Sequence, residues 1–148
     1  MTEVAFHFNA ADKLDYACRL LKKATANSAK VVVVGDTPLL LNLDITLWSL
    51  GPSSFIPHCV FGVKDGTLAF SPVVLVPRDE LPDTLPHHQV LLNLGQELIK
   101  GFELFERIIE VVTRDEQDKT FARKRWKHYL DRGYPLLRHD LSVKTPAV

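Results

Sequence analysis

Four consecutive valines, Val31 to Val34, followed at once by Gly35, constrain this chain more than any other feature. Valine is branched at Cβ, so it loses rotamer freedom in a helix and packs well on a pleated surface. A run that does not alternate with polar residues has no face to give to water, and it predicts a central strand of a sheet covered on both sides. Helical patterns before and after it complete an alternating order of strands and helices. The expected fold class is therefore α/β, a mostly parallel sheet with helices on both faces.

Val4–Phe8 reads as a short strand leading past Asn9, a capping residue, into a helix over 12–26, where Leu14, Ala17, Cys18 and Leu21 recur at helical spacing. After Gly35, Asp36 or Thr37 caps a second helix with Pro38 in its first turn, and Leu50-Gly51-Pro52 ends it. The stretch 52–72 reads as irregular, Val73–Val76 as a strand and 77–88 as a polar loop broken by prolines. Gln89–Leu94 and Arg107–Val112 read as two more strands, with a short helix over 96–105 between them. A final helix is expected over 115–132, with Thr113 and Glu116 at capping-box spacing and Gly133 where it stops.

A chain of 148 residues that is 46% hydrophobic suffices for one core, so a single domain over 1–141 is expected, with a loose C-terminal tail over 142–148. No apolar run reaches membrane-spanning length, and Met1-Thr2-Glu3-Val4 lacks the pattern of a signal peptide, so the expected setting is the cytoplasm. Cys18 and Cys59 have neither metal spacing nor the density of a disulfide scaffold, and none of the six histidines pairs with a second ligand type at metal spacing. No metal or other cofactor is expected. The turn after the valine run lies where a nucleotide-binding protein would place its phosphate loop. Here Gly35 is followed by Asp36, Thr37 and Pro38, which set an acid near the phosphate position and remove an amide donor. With no G-x-S-x-G elbow either, an enzyme is the minority reading.

The formal net charge is zero, which argues against a protein that coats nucleic acid through its overall field. The charge is uneven, however: residues 114–148 hold nine Lys/Arg against five Asp/Glu. On the last helix Lys119, Arg123 and Lys127 recur four apart and share a face, with Trp126 beside them. A solvated surface is the usual meaning of a charge run alone, but an indole among cations suits a short acidic peptide that ends in an apolar residue. Direct binding of single-stranded DNA is the competing use. In the middle of the chain Leu47, Trp48, Phe55, Ile56 and Pro57 gather near a helix end. Leu47 and Ile56 suit a core cap, whereas Trp48 and Phe55 suit a protein–protein contact.

Taken in order, Ala5-Phe6-His7-Phe8, Leu43-Asp44-Ile45-Thr46-Leu47-Trp48, Ser54-Phe55-Ile56-Pro57-His58 and Ala122-Arg123-Lys124-Arg125-Trp126-Lys127-His128-Tyr129 resemble the chi subunit family of bacterial DNA polymerase III over nearly the whole chain. The resemblance implies a fold related to nucleotide-binding domains but without a phosphate loop, and a non-catalytic adaptor of the clamp-loader complex. By carry-over, Leu47, Trp48, Phe55, Ile56 and Pro57 would face a psi-like subunit. Lys119, Arg123, Trp126 and Lys127 would take the acidic C-terminal tail of single-stranded-DNA-binding protein, leaving nucleic acid an indirect partner. A further basic residue found in the family is Leu130 here. A degenerate nucleotide-binding enzyme and a direct single-strand binder remain the alternatives.

Overall fold

The valine run forms β2 (Val31–Val34), buried at all four positions, in a computed structural model that describes residues 2–49, 56–61, 71–77, 81 and 85–142. The other described elements are β1 (Glu3–Ala10), α1 (Lys13–Ala26), α2 (Thr37–Trp48), β3 (His58–Val60), β4 (Val73–Val76), β5 (Val90–Asn93), a 3-10 turn at Phe102–Leu104, β6 (Arg107–Thr113), α3 (Glu116–Asp131) and β7 (Leu136–Asp140). The strands lie in the order β3-β4-β2-β5-β6-β1-β7, and every pairing is parallel.

Right-handed crossovers explain which helix covers which face. The chain steps across the sheet in one direction from β1 to β2 and again from β2 to β3, so α1 and α2 fall on the same side. It steps in the opposite direction from β6 over β1 to β7, which puts α3 on the other side. The two cores follow this division. Leu21, Val31, Val33, Leu40, Leu43 and Leu47 pack under α1 and α2, while Phe6, Val32, Val34, Ile108, Ala122 and Tyr129 pack under α3. No described helix is long and apolar enough to cross a membrane.

Four sequence expectations need correction. Asn9 does not cap α1; Asp12 does, accepting the Asp15 amide, and Asn9 instead sits at φ 66 in an irregularity of β1. The cap of α3 lies two residues past Thr113, at Asp115, which accepts the Asp118 amide. The helix expected over 96–105 is only the turn Phe102–Leu104, because side chains claim the carbonyls a helix would use: Asn93 donates to Glu97 O and Arg125 to Gln96 O. Within the stretch read as irregular, His58–Val60 forms a strand against β4. The reading also has no counterpart to β7, an edge strand exposed at Leu137, Arg138 and His139 that pairs with β1 from Val4–Leu136 to Phe8–Asp140. Of the expected tail only Ser142 is described.

A buried polar network fastens α3 to the sheet. Glu110 of β6 is fully buried; its Oε1 accepts from Arg125 Nε at 3.1 Å and from Asn93 Nδ2 at 2.7 Å, and its Oε2 accepts from the Tyr129 hydroxyl. Burial pushes the Glu110 carboxyl up, against the pull of Arg125 and the donors around it. A buried pair of this kind contributes little relative to an apolar pair of equal volume, but losing one partner leaves a charge stranded. Arg125→Ala is expected to destabilise the fold by about 3–5 kcal/mol, and the double change Glu110→Gln with Arg125→Met by clearly less, in urea unfolding. Equal costs for the single and double variants would mean that the pair does not act as a unit.

Candidate functional site

The network fixes the rotation of α3 about its axis. Ala122, Arg125 and Tyr129 point into the protein, so Arg123 and Lys127 are exposed and Trp126 lies at the boundary. The run Ala122–Tyr129 is thus two interleaved patterns, one that holds the helix down and one that faces outward. Trp126 meets Phe6 of β1 edge-on, with ring centroids 5.2 Å apart.

Between α3 and the ends of β1, β6 and β7 runs an open groove of about 480 Å³. Phe6, Phe8, Val112, Ala122 and Trp126 provide its apolar surface, and Lys119 and Arg123 rise from α3 on one side. Lys127 is exposed but does not line the groove. The sequence reading missed Arg138 and Asn9. Arg138 stands on β7 across the groove, its guanidinium 5.2 Å above the Phe8 ring. Asn9 reaches the lining through the irregularity in β1, and its Nδ2 donates to Asp140 Oδ1 at 2.9 Å. An edge strand that is neither apolar nor strictly alternating leaves little sequence signal.

Three acids bond to residues of the groove's lining, Thr113, Asn9 and Lys119, without lining it themselves. Asp118 Oδ2 accepts the Thr113 amide at 2.7 Å and the Thr113 hydroxyl at 3.0 Å, and its Oδ1 pairs with Lys13 Nζ at 3.0 Å. Glu116 lies 3.6 Å from Lys119. Beside Asn9, Asp140 Oδ1 also accepts the Ser142 amide and hydroxyl. Cations thus line the groove, and the carboxylates next to its lining are already engaged.

The second expected site divides between core and surface. Leu47 and Ile56 are 0% and 2% exposed and belong to the core rather than to an exposed surface. Trp48 is 62% exposed and continues a stripe with Leu41 and Ile45 along the outer side of α2. Its ring tilts against His58, which also bonds Asp44 Oδ1 at 2.8 Å. Pro57 is exposed, and Phe55 lies outside the described residues. The stripe was legible in principle: Leu41, Ile45 and Trp48 make a second helical series beside Leu40, Leu43 and Leu47, and a helix apolar on two sides is covered twice.

At the turn after β2, Asp36 caps α2 by accepting the Leu39 amide at 2.9 Å. The cap places a carboxylate on an amide that a phosphate would need. Among the described residues no group of three or more His, Cys, Asp or Glu is placed to hold a metal ion. A second cleft, on the α1 side, is lined by Lys23, Arg107 and His139. Arg107 there pairs with Glu3 at 3.2 Å, and burial followed by the charge of His139 lowers the pKa of His7 to about 4.

The fold and site together define an all-parallel α/β protein whose turn after β2 is closed by its own cap and which carries a cation-lined groove on one face and an exposed apolar stripe on the other. The family model for the DNA polymerase III chi subunit, HolC, matches residues 1–137. The chain is 34% identical over 146 residues to DNA polymerase III subunit chi of Pseudomonas aeruginosa, covering 95% of this chain and 98% of that one. It is 28% identical over 123 residues to the subunit of the same name from Haemophilus influenzae, covering 82% and 83%. The chain belongs to the chi subunit family of DNA polymerase III, a component of DNA replication.

The anchoring of α3 carries its own pH dependence. Burial alone would raise the Asp118 carboxyl, but the Thr113 amide, the Lys13 ammonium and the Thr113 hydroxyl together hold it below the usual carboxylate value. A carboxyl with a lowered folded pKa stabilises above its unfolded pKa, and that stability is lost as pH falls through the folded value. Wild type is therefore expected to lose stability with acidification below about pH 4, whereas Asp118→Asn starts lower and has a flatter profile, as chemical denaturation across pH would show. Parallel profiles would remove Asp118 as the source.

Proposed function

We propose that this protein is a non-catalytic adaptor of the bacterial replication machinery. In this reading the groove between α3 and β7 takes the acidic C-terminal tail of single-stranded-DNA-binding protein, and the outer face of α2 takes a psi-like subunit of the clamp-loader complex in the cytoplasm. The observation that carries it is the groove itself, an indole and two Phe rings bordered by Lys119, Arg123 and Arg138. Apolar surface between cations suits a short segment that is both acidic and apolar. Lys127, off the groove but on the same exposed helix, adds to the field that draws the tail in.

The acids beside the groove's lining favour a short peptide end over nucleic acid. Glu116 and Asp140 lie next to groove-lining Lys119 and Asn9, and their charge disfavours a long phosphate backbone more than a short peptide end. On α2, Leu41, Ile45 and Trp48 form an exposed apolar stripe of the kind that anchors a partner, and Pro57 is exposed as well.

A fluorescent acidic peptide ending in Phe is expected to bind at low salt and to weaken as salt rises. Arg123→Glu should cut its affinity at least roughly tenfold without altering the melting temperature. A length-matched single-stranded oligonucleotide should bind more weakly at the same salt, and tighter binding of the oligonucleotide would reverse the reading. For the second surface, Trp48→Ala and Ile45→Ala should each weaken capture of a psi-like subunit by about 2 kcal/mol in calorimetry while leaving peptide binding intact. Unchanged capture by both variants would remove α2 as that interface.

A further inference from the structure

The α1 side of the sheet is incompletely covered. On its way from β1 to β2, α1 crosses over β6 and β5, so β7, on the far side of β1, has no described helix above it there. Leu137 and His139 are left exposed, and a cleft of about 420 Å³ opens between α1 and β7. That volume is of the size that takes a small molecule. The cleft reaches Val31, Val90 and Arg107, the first residues of β2, β5 and β6. It therefore opens at the opposite end of the strands from the turn at Gly35, and on the opposite face of the sheet from the groove under α3.

Its floor is apolar, made by Ala5, Leu21, Val31 and Ile109, all buried. Cations from two elements stand at its rim, Lys23 on α1 and Arg107 on β6, both exposed. Glu3 is the one acid among the described lining residues, and it is already paired with Arg107 at 3.2 Å. Among the described residues no ion pair holds Lys23. A guanidinium has five donors, so Arg107 can keep Glu3 and still serve a second anion.

One side chain registers how these charges converge. His7 lies in the cleft with its Nδ1 bonded to the Tyr16 hydroxyl and its ring stacked on His139, centroids 4.8 Å apart. Burial, and then the charges of His139, Arg107 and Lys23, lower its pKa to about 4. Groups on α1, β6 and β7 thus act on the same spot, and an anion placed there relieves all of them. The imidazole pair, fixed by Tyr16 from one side, is also a flat surface on which a ring can pack.

We propose that this cleft binds a small aromatic anion, its ring on the apolar floor and the His7–His139 pair and its charged group taken by Lys23 and Arg107. The phosphate of a nucleoside monophosphate and the carboxylate of an aromatic acid share that chemistry. The proposal is independent of the peptide-accepting reading of the groove.

The test titrates the full chain with adenosine monophosphate and with benzoate, following the histidine ring signals by NMR. Adenosine, benzamide and inorganic phosphate are the controls. At least one of the two anions should shift His7 and His139 saturably and raise the His7 pKa above its value in the free chain, since an opposite charge favours the protonated ring. Which of them does so identifies the anionic group. The uncharged counterpart and inorganic phosphate should each bind roughly tenfold more weakly, because each lacks one half of the contact. Lys23→Glu should weaken binding by roughly tenfold or more. Ala24→Leu, which fills the cleft from α1 without touching a charge, should abolish the shifts at an unchanged melting temperature. If that variant melts early, Lys23→Glu at its exposed position decides alone. The proposal is overturned if neither anion moves His7, if inorganic phosphate binds as tightly as adenosine monophosphate, or if binding survives Lys23→Glu or a well-folded Ala24→Leu unchanged.

Discussion

The contact between Glu110 and Arg125 decides what the last helix can present. An amphipathic helix on an apolar sheet face can rotate through tens of degrees at small cost, since burial is non-directional. A buried carboxylate cannot, because its lone pairs must meet Arg125, Tyr129 and Asn93 at hydrogen-bonding distance. With Arg125 and Tyr129 turned inward by that requirement, Arg123 turns outward and Trp126 comes to rest against Phe6. Asp118 sets the other end of the helix against Thr113 and Lys13. The groove is thus a by-product of polar satisfaction in the core, which is why Arg125 alone of the basic run is structural while Arg123 and Lys127 stay exposed.

The parts of the fold that could be read from sequence are those in which one physical demand dominates. Val31–Val34 must be buried on both sides and is; the alternation of strands and helices produced the α/β class and the parallel sheet. The elements that were misread answer to more than one demand. Thr113 has the spacing of a cap yet ends β6, because its amide and hydroxyl both go to Asp118. Residues 96–105 carry a helical pattern, but Asn93 and Arg125, distant in sequence, take carbonyls that the helix would need. Long-range hydrogen bonds of this kind leave no periodic trace.

The candidate site was legible on α3 and not on the sheet. Lys119, Arg123 and Trp126 follow helical spacing and line the groove, whereas Lys127 shares the spacing but not the lining. Arg138 and Asn9 reach the groove only because β7 pairs with β1 and β1 is irregular at Asn9, neither of which a single sequence displays. On α2 the residue-by-residue reading and the resemblance part ways. Leu47 and Ile56 share a segment with Trp48, but helix phase and the turn before β3 bury them. The residues themselves suited a core cap, and the interface role came only from the resemblance.

The two surfaces stand on opposite faces of one sheet, α3 on one side and α1 with α2 on the other. In the proposed reading, partners there would have no need to compete for space, and a stiff parallel sheet between them would transmit little of one binding event to the other unless it had a second arrangement to adopt. The polar network under α3 works against such an arrangement, because rotating the helix would strand Glu110. Two docking faces fixed in this way would act additively rather than cooperatively, holding two partners at a constant separation. The advantage of such a link is effective concentration: a weak, salt-sensitive grip on a peptide end becomes effective when the other face is already fastened to a large assembly.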